Sequence, residues 1–339
     1  MSEAVVRERL SESGCPEPPV GTASGPADRA PADGSRPVST TPADSPAPGA
    51  VGVFSAGRHR LGEGPLWDPR TRTLHWVDIV AGEVLSRPED ADAARVTGVG
   101  TDVGCLGLTA DPQVLVAALR TGWHLLDLRT GALRLLADPE PGRPSSRFND
   151  GAVDAAGRFW SGTLEDDPPG PDGRLHVLGG DGSYRTAAGG FRCANGIDWS
   201  PDGRWMYVVD SGRDRVHRYA FDAATGALGA REVLADTTAL DGIPDGLRVD
   251  AAGDVWCAFW DGAHLTRFAP DGTVRERVEL PVLRPTSIAF GGPDLRTMFV
   301  TSAARGLTAE QLTRWPLSGA LLRRDAAVPG LPAHHFGAA

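Results

Sequence analysis

From residue 51 onward the sequence repeats with a period in the forties, and that period constrains the fold more than any other feature. Asn149-x-x-x-Val153-Asp154-Ala155-Ala156-Gly157-Arg158-Phe159-Trp160 aligns with Asp245-x-x-x-Val249-Asp250-Ala251-Ala252-Gly253-Asp254-Val255-Trp256. A third copy is Asn195-x-x-x-Trp199-Ser200-Pro201-Asp202-Gly203-Arg204-Trp205-Met206. Glu63-x-x-x-Trp67, Gly104-x-x-x-Leu108 and Thr286-x-x-x-Phe290 complete the set, each followed by a short apolar run. The lead positions 63, 104, 149, 195, 245 and 286 are 41, 45, 46, 50 and 41 residues apart. Between them, apolar runs of strand length alternate with Pro-Asp-Gly and Ala-Gly turns, and no stretch sustains a helical period, so the class is all-β. Four short strands in a unit of this length make a propeller blade. Six units fill the chain from Val51 to its C-terminus with no remainder, so the expected fold is a six-bladed β-propeller over residues 51–339.

Residues 1–50 have a different texture. They hold nine prolines, from Pro16 to Pro48, and no aromatic residue before Phe54. Such a segment cannot bury enough apolar surface to offset its chain entropy, and it reads as a disordered N-terminal extension.

In a propeller the innermost strand of each blade runs along a central channel, so equivalent positions form a ring about the axis. Here the ring is Glu63, Gly104, Asn149, Asn195, Asp245 and Thr286. Two carboxylates and two carboxamides converging on one point make a hard-oxygen cage for one divalent ion: Ca²⁺, Mg²⁺, Mn²⁺, Zn²⁺ and Fe²⁺ all accept such donors. Other chemistries are excluded by what is missing. All 34 basic residues are arginine, which removes lysine Schiff bases, pyridoxal-phosphate attachment and a Walker-A loop together. There is no Gly-x-Ser-x-Gly elbow, no His-Glu-x-x-His and no dinucleotide fingerprint. A formal charge of −10 argues against nucleic acid or an anionic membrane as partner and leaves a small-molecule substrate. The N-terminus lacks the apolar core of a secretory signal, so a cytoplasmic location is expected. The four cysteines, with no Cys-x-x-Cys pair, read as isolated buried thiols, and His75, His176, His217 and His264, inside expected strands, as structural side chains.

Several stretches together resemble the SMP-30/gluconolactonase/regucalcin family of metal-dependent lactonases. They are Leu61-Gly62-Glu63-Gly64-Pro65-Leu66-Trp67, Arg147-Phe148-Asn149-Asp150-Gly151, Asn195-Gly196-Ile197-Asp198-Trp199-Ser200, Ile243-Pro244-Asp245-Gly246 and Ser287-Ile288-Ala289-Phe290-Gly291-Gly292. The resemblance spans about residues 51 to 337 and implies one divalent ion held by Glu63, Asn195 and Asp245. It implies a second role for Asp245 as proton acceptor and donor. It places Arg147 and Asn149 against the substrate, with Asn149 also a fourth ligand, direct or indirect. An acidic residue that the family carries after a Gly-Thr pair corresponds by spacing to Asp167, with Glu165 or Asp166 as alternatives in the run Leu164-Glu165-Asp166-Asp167.

The activity so implied is hydrolysis of a lactone ring, of a sugar or a related small molecule, with the carbonyl polarised at the ion and Asp245 moving the proton. Two alternatives share the sequence: the same cage acting on a phosphotriester or a specialised metabolite, and a non-catalytic calcium-binding or interaction propeller.

Overall fold

The computed structural model describes residues 50–166 and 169–337. The proline-rich extension up to residue 49, Cys15 and Asp167 lie outside the described residues. Strand β1 (Gly52–Ser55) precedes the first complete blade, which is β2 (Gly62–Asp68), β3 (Thr73–Asp78), β4 (Glu83–Pro88) and β5 (Arg95–Gly98). The second blade is β6 (Val103–Leu108), β7 (Val114–Leu119), β8 (Gly122–Asp127) and β9 (Leu133–Ala137). The third is β10 (Ser146–Val153), β11 (Phe159–Asp166), β13 (Gly173–Leu178) and β14 (Tyr184–Phe191), with the two-residue β12 (Pro169–Gly170) paired to the end of β11. The fourth is β15 (Ala194–Trp199), β16 (Trp205–Asp210), β17 (Arg215–Asp222) and β18 (Ala227–Asp236). The fifth is β19 (Ile243–Val249), β20 (Val255–Trp260), β21 (His264–Phe268) and β22 (Val274–Glu279). The sixth takes β23 (Pro285–Gly291), β24 (Thr297–Ser302) and β25 (Leu321–Asp325) from the C-terminal end and β1 from the N-terminal end. Among the described residues these strands make six antiparallel sheets, the six-bladed propeller that the repeat implies. The innermost strands β2, β6, β10, β15, β19 and β23 pack each against the next and close the ring.

The turns explain why the repeat folds this way. In the third blade Asp154 Oδ1 accepts the backbone N–H of Ala156 and of Arg158, both at 3.0 Å, while Oδ2 accepts the indole N–H of Trp160 at 2.8 Å. Asp250 does the same for Ala252, Asp254 and Trp256. One carboxylate thus closes the hairpin turn and anchors a buried tryptophan six residues later, with Gly157 and Gly253 supplying the positive φ that the turn needs.

Two features depart from six self-contained units. The outermost strand of the sixth blade is β1, paired antiparallel with β25, so the chain's two ends are joined within one sheet. Phe54 on that strand is buried and packs edge-on against Phe299 at 4.8 Å. The residues after β25 are not blade either. Pro329 and Gly330 bond to Ala251 and Leu295, Phe336 N–H reaches Leu108 O at 2.7 Å, and Gly337 N–H reaches Gly157 O at 2.9 Å. This strap therefore crosses from the fifth and sixth blades to the second and third. A short helix α1 (Ala309–Arg314), capped by Thr308, fills the β24–β25 connection. No helix among the described residues is long and apolar enough to cross a membrane.

Because β1 is the first described strand, the closure predicts a sharp threshold for truncation. Removing residues 1–45 is expected to leave the melting temperature and turnover unchanged. Removing residues 1–56 deletes β1 and empties the Phe54 site, a loss of roughly 3–5 kcal/mol and a fall of roughly 6–15 °C in Tm. Thermal unfolding of both variants checks this; a comparable fall for the shorter deletion would show that the extension packs on the propeller.

Candidate active site

Each innermost strand carries a break in register at its lead position. The shifts fall between Glu63 and Leu66, Val103 and Cys105, Phe148 and Gly151, Asn195 and Ile197, Pro244 and Leu247, and Pro285 and Ile288. A bulge re-aims a side chain and ends regular pairing, and here it recurs six times at one level of the channel. Gly64 and Gly196, with φ of 51° and 22°, follow two of the lead residues. A Cβ on Gly196 would come within 2.6 Å of Leu247 N in the next blade, so the residue after Asn195 has to be glycine.

The lead side chains are buried and differ in what they do. Asn195 Nδ2 donates to Asp245 Oδ1 in a short contact and to Ser211 Oγ at 3.2 Å, while its Oδ1 accepts Gly196 N–H at 3.1 Å. Glu63 accepts Gly64 N–H at 3.0 Å. Burial, and then the charge of Asp150, push the Glu63 carboxyl up to about 8, against the opposing charges of Arg147 and Arg248. Asn149 Oδ1 accepts from Arg147 Nη1 at 3.0 Å, and its Nδ2 donates to Ala194 O at 3.2 Å. Thr286 hydroxyl is tied to Gly62 O and Thr301 Oγ1, a link between the sixth and first blades. Gly104 is bare because a Cβ there would meet the Phe148 carbonyl at 2.6 Å.

The structure thus brings Asn195 into contact with Asp245, and Arg147 into contact with Asn149, while Glu63 lies within electrostatic reach of Arg147 and Asp150. Of the three acidic candidates that follow Gly162-Thr163, Glu165 is spent on Arg143 at 2.8 Å and Asp166 on Arg120 and Arg147. Sequence reasoning passed over Asp150, although it directly follows Asn149 in the same motif. Its Oδ1 accepts Gly151 N–H at 2.7 Å, its Oδ2 has no partner, and burial raises its carboxyl above the usual range. Ser211 was equally invisible, since it lies outside the lead positions.

Among the described residues no three His, Cys, Asp or Glu side chains cluster as a metal site. A divalent ion here would have to use amide oxygen as well as carboxylate, and the donor chemistry fits that. Turning the Asn195 carboxamide over would present Oδ1 to Asp245 in place of Nδ2, at the cost of the bond from Gly196 N–H. Two oxygens so close repel unless a cation lies against both, whereas Ser211 hydroxyl accepts or donates with either face. A cation beside Glu63 would favour its ionised form, which burial disfavours. Cys105, Cys193 and Cys257 are buried, and burial lifts the thiols of Cys105 and Cys257 well above their ordinary range. The strand histidines His75, His176, His217 and His264, read as structural, are buried too, and burial lowers the pKa of His75, His217 and His264.

Away from the lead residues, Leu66, Ala152, Asp198 and Arg248 line a mainly apolar cavity of about 250 Å³ whose far side is formed by Leu331 and His334 of the C-terminal strap.

Residues 61–304 match the sequence profile of the SMP-30/gluconolactonase/LRE-like region. A 6-deoxy-6-sulfogluconolactonase of Pseudomonas putida is 39% identical over 80% of this chain and 92% of its own length. A pentonolactonase of Haloferax volcanii is 36% identical over 80% and 93%. Among solved structures, a calcium-binding protein, regucalcin, from Agrobacterium tumefaciens superposes with a TM-score of 0.81 at 31% identity, covering 85% of this chain and 98% of that one.

Proposed function

The chain belongs to the SMP-30/gluconolactonase/LRE-like family, and from that premise we infer that it is a lactone-opening hydrolase whose substrate is a sugar lactone and whose cofactor is one divalent ion. The observation that carries the reading is the Asn195–Asp245 contact, with Glu63 as a second buried carboxylate on the same ring of bulges. Two related lactonases, similar over nearly their whole length, support the reaction class.

In this reading Glu63, Asn195 and Asp245 would hold the ion. Asn149, whose Oδ1 accepts from Arg147 and whose Nδ2 donates to Ala194 O, would contact the substrate and stand as a fourth ligand, direct or indirect. When bound, the ion would supply Lewis acidity to the lactone carbonyl. Asp245 takes a proton from the attacking water as the new C–O bond forms at the carbonyl carbon. It returns that proton to the ring oxygen as the acyl C–O bond breaks, leaving an open hydroxy acid. Arg147, with its planar fork, holds hydroxyl or carbonyl oxygens of the substrate. Asp167, outside the described residues, remains the proposed acidic contact to the sugar, because Glu165 and Asp166 already have arginine partners. The setting proposed is the cytoplasm.

The test is acid release from a panel of sugar lactones, aliphatic lactones and a phosphotriester, after stripping with chelator and adding Ca²⁺, Mg²⁺, Mn²⁺, Zn²⁺ or Fe²⁺ singly. Sugar-lactone turnover that depends on an added ion is expected. Turnover of the phosphotriester alone would replace the reaction class, and no turnover with any ion would favour a binding propeller.

A further inference from the structure

A line of alternating charges leads into the site from the neighbouring blade. Arg147 is 3% exposed, so its guanidinium is oriented by the protein and not by solvent. Its Nη1 donates to Phe148 O at 3.1 Å and to Asn149 Oδ1, and its Nε lies 3.3 Å from Asp166 Oδ2. A guanidinium is a rigid plane, so fixing Nε and one Nη fixes the direction of the whole fork.

Asp166, at the end of β11, is in turn held from the second blade. Arg120, in the turn between β7 and β8, donates from Nη1 to Asp166 Oδ1 at 3.2 Å and from Nη2 to Oδ2 in a short contact. Its Nε and Nη2 also donate to Asp102 Oδ2, at 3.1 and 2.7 Å, and Nη1 reaches Pro144 O at 3.2 Å. The order Asp102, Arg120, Asp166, Arg147 alternates in sign, so each charge that enters the low-dielectric wall is balanced by the next. Among the described residues Arg120 bonds none of the lead side chains, which makes it separable from them.

We propose that Arg120 and Asp166 are positioning residues that set the orientation in which Arg147 meets the substrate. This rests on the reading of Arg147 as a substrate contact. With Arg120 gone, Asp166 loses the fork that pins both its oxygens, and the Arg147 plane can tilt. Binding of an oxygen-rich lactone weakens while the proton transfer at Asp245 is untouched.

The experiment is a double-mutant cycle on the metal-saturated enzyme, comparing glucono-δ-lactone with unsubstituted δ-valerolactone. Arg120→Gln is expected to raise KM for the hydroxylated lactone roughly tenfold, with kcat within about threefold and little change for δ-valerolactone. Arg120→Lys should recover part of the loss, since it restores charge without the fork. In an Arg147→Ala background Arg120→Gln should have no further effect, because two residues acting through one another are not additive. Asp102→Asn, at a partly exposed position, should shift KM in the same direction by less, and it carries the cycle if Arg120→Gln does not fold. Additive effects, or an unchanged KM for Arg120→Gln where Arg147→Ala raises it, would overturn the positioning role alone. A silent Arg147→Ala would overturn both this role and the assignment of Arg147 to the substrate.

Discussion

Asp245→Asn is expected to lower kcat by roughly a hundred- to ten-thousand-fold while the protein stays folded. Asparagine keeps the size of the side chain and one oxygen, so the short contact from Asn195 Nδ2 has an acceptor still. What it loses is basicity: an amide takes no proton near neutral pH. The measurement is kcat at saturating metal, with ion affinity read separately by titration, so that a weakened site is not mistaken for a lost base. A near-normal kcat under those conditions would mean that another group takes the proton, and Asp167 would be the next candidate.

The second large effect concerns the cage. Chelation is expected to abolish turnover without unfolding the protein. Asn195→Ala is expected to raise the concentration of ion needed for half-maximal activity by at least roughly 10–100-fold, with partial rescue by excess ion. The fold should survive because the apolar cores lie between the blades, in clusters such as Val77, Val84, Leu108 and Leu115 or Val209, Val216, Val255 and Phe259. Removing the amide also deprives Asp245 of a donor, a cost of about 1–3 kcal/mol that a propeller of this size tolerates. Circular dichroism beside the metal titration decides the matter. An unfolded Asn195→Ala would make the ring a structural element and remove the main support for the proposed site.

Much of this is legible in the sequence, and the reason is the repeat. Turn chemistry is local, so Asp154-Ala155-Ala156-Gly157 and Asp250-Ala251-Ala252-Gly253 declare hairpins wherever they stand. Once the hairpins are phased, the lead residues follow by counting, and with them Glu63, Asn149, Asn195 and Asp245. The residues that escaped, Asp150, Ser211, Arg120 and Arg248, stand outside the lead positions. Arg120 and Asp166 are 46 residues apart, and nothing in either local sequence marks them as partners. Nor does a repeat explain its own exceptions: Gly104 lacks a side chain because the backbone of the third blade presses against it.

The sequence by itself determined the number of blades, their phase and the kinds of donor at the channel, because these follow from a short period written six times. It left undecided how the ring is closed. Six units with no remainder proved too simple, since β1 is lent to the sixth blade and Pro329–Gly337 forms a strap across the channel. Pairing of β1 with β25 joins residues about 270 positions apart, a contact that no local preference encodes and that becomes favourable only when the other blades have brought the ends together. The same holds for the line from Asp102 to Arg147. Charge alternation across two blades exists only after they pack, because its stability comes from neighbours in space and not in sequence.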